Sequence, residues 1–113
     1  MQRLVIHIEE GLREIVDLDD VYYLEADEDD TLVRLAGKIR RRDIRPINEL
    51  EQKLKAAGFF RIQRSYLVNL HRIRHVRLRE SRRDWEVVMA PPVNKVLPVS
   101  RGTLEALLDA LER

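Results

Sequence analysis

Apolar and polar residues alternate through most of the chain, and only two segments switch to helical spacing. In RLVIHIEE, Leu4, Ile6 and Ile8 alternate with Val5 and His7, which predicts an opening strand; Gly11 marks a turn, and LREIVDL alternates again as a hairpin partner. His7 stands alone with no second ligand nearby and is read as a strand-face histidine rather than a base or metal ligand. After Asp17, Asp19 and Asp20, the β-branched and aromatic VYYLEA predicts a strand, and TLVRLAG another from Thr31 to Gly37. Gly37 and Lys38 turn into KIRRRDI, where alternation puts Arg40 and Arg42 on one face and Arg41 on the other, so exposed strand positions are expected, with a phosphate contact as the alternative.

The first helical segment opens at Pro46, whose missing N–H suits a first turn. Ile47, Leu50, Leu54 and Ala57 form one apolar stripe, and Gly58 closes it as a C-cap, so a helix over about 46–57 is expected to cover a sheet face. Its outer face offers Glu49 to Lys53 and Glu51 to Lys55 as pairs one turn apart. The second, over about 102–111, turns Leu104, Leu107, Leu108 and Leu111 inward. Between them lies FFRIQRSYLVNL. Phe60 and Ile62 read as one face of a strand with Arg61 and Gln63 on the other, whereas Ser65 to Asn69 reads as a short turn or helical turn anchored by Tyr66, Leu67 and Val68. Asn69 is assigned a bond to the local backbone.

HRIRHVRLRES then alternates, with Ile73, His75, Arg77 and Arg79 on one side and Arg72, Arg74, Val76 and Leu78 on the other. Ser81 to Asp84 make a polar turn, WEVVMA returns as a strand, Pro91, Pro92 and Asn94 break the sheet, and VLPVS forms a last strand. Trp85 has no second exposed aromatic beside it, so packing is preferred over base stacking.

At 113 residues the chain is the size of a single domain, 1–113, with a mainly β, antiparallel architecture. No apolar run approaches the ~20 residues of a membrane helix and the start lacks a signal-peptide core, so a soluble, cytoplasmic protein without a membrane partner is expected. The absence of cysteine excludes disulfides and thiolate metal sites. There is no glycine-rich phosphate loop, the three histidines are scattered, and neither Ser65 nor Ser100 sits in a G-x-S-x-G elbow. These absences argue against an enzyme and imply no cofactor. Charge changes the picture more. Residues 1–37 carry three arginines against eleven acids, whereas 38–101 carry seventeen Lys and Arg against six acids. Such segregation suggests a polyanion partner on one face, or else opposite charges pairing across the fold.

The acidic run Glu25 to Asp30 admits two readings: a hard-cation site, since Mg²⁺ and Ca²⁺ want several carboxylate oxygens, or a solvated hairpin tip that leans away from DNA or touches another part of the regulator. The run lacks the glycine and distant Glu of an EF-hand loop, so the tip is preferred and no metal site is assigned.

FFRIQRSYLVNL, followed by VLPVSRGTLEALL and preceded by DVYYLEA and INELEQKL, resembles the LytTR family of bacterial DNA-binding domains, whose signature runs roughly F-x-R-I-H-R-S-Y-L-V-N and then P-V-S-R. The resemblance covers nearly the whole chain. It implies a β-rich fold working as the output domain of a transcriptional regulator. Such domains bind double-stranded DNA at paired direct repeats, through loops entering successive major grooves, often as dimers driven by an upstream sensor or receiver domain.

Carried over residue by residue, the resemblance makes Arg64, Arg101 and Gln63 the base-contact candidates. An arginine there reads guanine through O6 and N7. Gln63 stands where the signature has histidine. Ser65, Lys95 and Thr31 are the phosphate-contact candidates. The acidic loop departs from the family, which usually carries neutral or basic residues there. It motivates an alternative, a protein-interaction module that kept the fold and lost DNA binding.

Overall fold

A computed structural model of the chain describes residues 2–113. The strands are β1 (Arg3–Glu9), β2 (Leu12–Asp17), β3 (Val21–Asp27), β4 (Asp30–Leu35), β5 (Arg40–Asp43), β6 (Phe59–Gln63), β7 (Tyr66–Asn69), β8 (Ile73–Leu78), β9 (Trp85–Met89) and β10 (Val96–Val99). Helix α1 (Ile47–Leu54) lies between β5 and β6, and α2 (Leu104–Leu111) follows β10. All pairings are antiparallel: a β1–β2 hairpin, a five-stranded sheet β5-β4-β3-β7-β6 and a three-stranded sheet β10-β9-β8. This is the mainly β fold that the alternation predicts.

The five-stranded sheet is the middle layer, and apolar side chains cover both of its faces. On one face Val21, Leu24, Val33 and Leu67 pack with Leu4 and Ile6 of the hairpin and Ile47, Leu50 and Leu54 of α1. On the other, Tyr23, Ile62 and Val68 pack with Val87, Met89, Leu97 and Val99 of the smaller sheet and Leu107 of α2. Helix α1 thus buries the stripe read from the sequence. It is shorter than expected, continuing into a 3₁₀ turn over Lys55–Ala57 before Gly58 turns left-handed at φ 91°. Its glutamates do not pair with the lysines one turn on: Glu51 binds Arg61 at 2.8 Å and Glu49 lies 4.0 Å from Arg45. In α2, Leu107 is fully buried while Leu108 is exposed, so the inward stripe is narrower than the four leucines suggest.

Three local features differ from the sequence reading. Of Ser65–Asn69 only Ser65 lies in a turn: Tyr66–Asn69 is strand β7, paired on both sides, with buried Leu67 and Val68 alternating between the two cores. Asn69 does bond locally, accepting from the His71 amide at 3.0 Å, but its amide nitrogen also donates to the Leu18 and Val21 carbonyls across the fold. In β8 the register shifts between Ile73 and His75, so Ile73 and Val76 both pack on the core, where simple alternation separates them.

The hairpin is fastened by a buried ion pair. Asp43 accepts from Arg45 through the backbone amide (2.9 Å), Nε (3.0 Å) and Nη2 (2.8 Å), and from the His7 amide (3.1 Å). Nη2 of Arg45 reaches the Val5 carbonyl as well (2.8 Å). Burial opposes the charge on Asp43, yet these bonds outweigh it and hold the carboxyl below the usual range.

Candidate nucleic-acid interface

Strands β6 and β7 are joined by a two-residue turn, Arg64–Ser65, and the side chains around it fix its shape. The Gln63 amide oxygen accepts from the Ser65 N–H at 2.7 Å, while the Ser65 carbonyl accepts from the Ala26 N–H of β3 at 2.8 Å. From the other side, Arg61 donates through Nε to the Gln63 carbonyl (3.2 Å) and through Nε and Nη2 to the Arg64 carbonyl. Its Nη1 is held by Glu51 (2.8 Å) and Asn48 (2.9 Å) of α1. Helix α1 therefore braces the turn that projects Arg64. Arg64 itself is exposed and makes no ion pair among the described residues.

A second turn lies beside the first. The Ser100 amide, just past β10, donates to the Ile62 carbonyl at 2.9 Å, which places Ser100–Gly102 next to the end of β6. Arg101 projects there, its side chain 75% exposed, and donates through Nε to Asp84 at 2.8 Å. This bond raises the Arg101 pKa and lowers that of Asp84.

Asp84 closes a third turn, between β8 and β9, where the Arg79 amide bonds the Asp84 carbonyl at 2.8 Å. A crevice of about 250 Å³ lined by Asp84, Trp85, Ser100, Arg101 and Leu104 joins the second and third turns. Arg79, Arg82 and Arg83 sit exposed on this third turn. Its sequence predicts no more than a polar turn, although the string RESRRD is rich in cations. The local acids are partly neutralised: Glu86 is met by Arg77 at 2.6 Å and Arg79 at 3.5 Å. Among the described residues no group of acidic, His or Cys side chains is arranged to hold a metal.

Of the residues singled out from the sequence, Arg64, Ser65, Gln63 and Arg101 thus come together at one end. Gln63 has its amide oxygen occupied, which leaves its NH₂ to donate. Thr31 is not available as a phosphate contact, because it is fully buried and its hydroxyl donates to the Arg45 carbonyl at 2.8 Å. Lys95 is exposed but sits in the β9–β10 turn, at the opposite end of β10 from Arg101. Four strand residues at roughly 3.3 Å each keep the two turns more than about 13 Å apart, so Lys95 does not join the group around Arg64.

The acidic run forms the hairpin tip expected of it, with Glu28 and Asp29 exposed. Because Glu25 pairs with Tyr66 and Ala26 bonds Ser65, the β3–β4 tip extends past the Arg64 turn. Asp27 and Asp30 are bridged by Arg42 at 2.7 and 3.4 Å. At the apex of the tip, Glu28 and Asp29 make no ion pair among the described residues.

A family model described as LytTr DNA-binding domain matches residues 13–112. No curated relative matches the chain. Four solved chains match, among them one described as the LytTr DNA-binding domain of a methyl-accepting/DNA response regulator from Bacillus cereus. That chain is 20% identical, covers 100% of this chain over 99% of its own length, and superposes with a TM-score of 0.78, a likeness of fold.

Proposed function

The chain belongs to the LytTR DNA-binding family, and from that premise we propose that it binds double-stranded DNA sequence-specifically as the output domain of a bacterial transcriptional regulator. Arg64 and Arg101 enter successive major grooves as base-reading residues, and the Gln63 NH₂ assists. Ser65 and the arginines of the β8–β9 turn neutralise or bond phosphates. The target is a promoter with paired direct repeats, an upstream sensor or receiver domain supplies the signal, and the complex works in the cytoplasm. One observation carries the reading: the Ile62–Ser100 bond brings two exposed arginines, 37 positions apart in sequence, onto adjacent turns. A guanidinium on a braced turn offers the bidentate fork that guanine requires. The Arg101–Asp84 pair does not oppose this, because an exposed single-bond pair is readily exchanged for a phosphate or base.

A second reading has its own support. The acidic tip beside Arg64 repels phosphates, which suits a protein-interaction module that no longer binds DNA. Titrating salt against a random duplex and a promoter duplex separates the two. Groove binding predicts affinity that falls steeply as salt rises, with log K declining by roughly 0.9 per phosphate neutralised. The interaction module predicts no DNA affinity even at low salt.

A further inference from the structure

The outer strand of the N-terminal hairpin has an open edge whose side chains match themselves. Among the described residues β2 pairs only with β1. The Leu18 amide donates to the Gln2 carbonyl, directly opposite it in register, so even-numbered residues of β2 bond to β1. Backbone groups alternate sides along a strand. Those of Arg13, Ile15 and Asp17 therefore point to the free edge. The matching residues of β1 confirm the alternation, since the Val5 and His7 carbonyls point the other way, toward Arg45 and Ile44.

The same three residues lie on the face turned away from the core. Ile15 is 60% exposed, and its register partner Val5 is 42% exposed. With Ile39, also exposed, Ile15 lines a groove of about 630 Å³ that reaches Leu35 and Ala36. Charges usually blunt a free edge against pairing. Here Arg13 and Asp17 stand symmetrically about Ile15; the Arg13 Nη1 caps its own turn through the Glu9 and Glu10 carbonyls (2.6 and 3.1 Å), exposed bonds that leave its charge at the edge, so the charges of this edge complement a second copy of it.

We propose that a second copy of this chain pairs with β2, antiparallel about a two-fold axis through Ile15, to form a continuous four-stranded sheet β1-β2-β2-β1. Ile15 faces Ile15 of the partner subunit, and each Arg13 faces Asp17 of the partner subunit. The outward amides and carbonyls of the three residues supply the ladder. The interface is isologous, as a two-fold contact requires. Copies bound at direct repeats are related by translation instead, so this contact is separate from DNA binding and stands whether or not the chain binds DNA.

Sedimentation equilibrium of the full chain without DNA tests the pairing. The wild type is expected to dimerise with a dissociation constant of roughly 1–100 µM. Arg13→Asp or Asp17→Arg alone sets like charges opposite each other and weakens the dimer about tenfold or more, while the two together restore it to within about threefold. Ile15→Pro abolishes it, yet leaves the hairpin intact, because the lost N–H points to the free edge; circular dichroism melts establish that each variant is folded. A wild type that stays monomeric to about 1 mM, a dimer indifferent to the single reversals, or a combined reversal that stays as weak as the single ones overturns the proposal.

Discussion

Two arginine–aspartate pairs, Arg45–Asp43 under the N-terminal hairpin and Arg101–Asp84 at the far sheet's end, have the same closest contact, 2.8 Å, and opposite surroundings. Asp43 is fully buried and every acceptor site is used: three bonds from Arg45 and one from the His7 amide. The Arg101 side chain is 75% exposed and holds Asp84 by a single bond. The first arginine is spent on the fold, because releasing it strands a charge in a place that water cannot reach. The second is parked, because water, a phosphate or a guanine edge can replace its carboxylate at little cost. In a chain with 21 Lys and Arg, the surroundings of each partner separate structural cations from those free to meet a ligand.

The most severe way to break this contrast is to delete one acid from each pair. Asp43→Ala leaves Arg45 buried with only the Val5 carbonyl and the distant, exposed Glu49 carboxylate, and is expected to cost about 3–5 kcal/mol in urea unfolding. Asp84→Ala should leave the unfolding midpoint unchanged and, by freeing Arg101, hold or raise DNA affinity in an anisotropy titration. Equal losses of stability would erase the distinction.

Arg61→Ala comes next. It removes the donors to the Gln63 and Arg64 carbonyls and the link to Glu51, and should cost about 1–3 kcal/mol of stability. It should also weaken DNA binding although Arg61 makes no base contact. Arg61→Lys, which keeps charge but loses the planar fork, should fail to restore affinity.

Acid should resolve the pairs too. The Asp43 carboxyl titrates lower in the folded chain than in the unfolded one, so on acidification the unfolded chain takes up more protons. Its stabilisation is complete above the ordinary carboxylate range, near pH ~4, and is lost as pH falls through the lower folded value. A thermal melt series should show a midpoint that drops below that pH, with the drop shallower in Asp43→Asn. Asp84 is held low by its bond to Arg101 and titrates in the same direction, but its pair is screened by solvent, so Asp84→Asn should change the acid limb far less than Asp43→Asn.

The mildest effect is expected at the acidic tip. Neutralising the two acids at the apex, with Glu28→Gln and Asp29→Asn, should strengthen DNA binding by roughly two- to fivefold at low salt and less at high salt. No change at low salt would mean that the tip stays clear of bound phosphates.

Much of this was legible in the residue pattern because its determinants are local. Pro46, the Ile47–Leu50–Leu54 stripe and Gly58 specify α1 with no knowledge of its neighbours. The Arg64 corner was legible through family likeness more than through period. What escaped is non-local. Thr31 looks like any loop-end hydroxyl until the Arg45 carbonyl is brought to it from 14 residues away. Strand β7 reads as a turn because two buried faces leave YLV without alternation, and its pairing with β3 crosses more than 40 residues. The β8 bulge hides in a string that alternates acceptably either way. The arginines of the β8–β9 turn are visible in the string RESRRD, but their place beside Arg101 emerges only when Asp84 bonds it across 17 residues.

The most direct test is competition binding of the wild type and Arg64→Ala to a duplex selected from a random pool, each against a scrambled duplex at one salt concentration. A base-reading arginine predicts that the variant's preference for the selected site falls roughly 5- to 150-fold, while its affinity for scrambled DNA changes far less. Equal losses on both duplexes would reduce Arg64 to a phosphate contact and contradict the account.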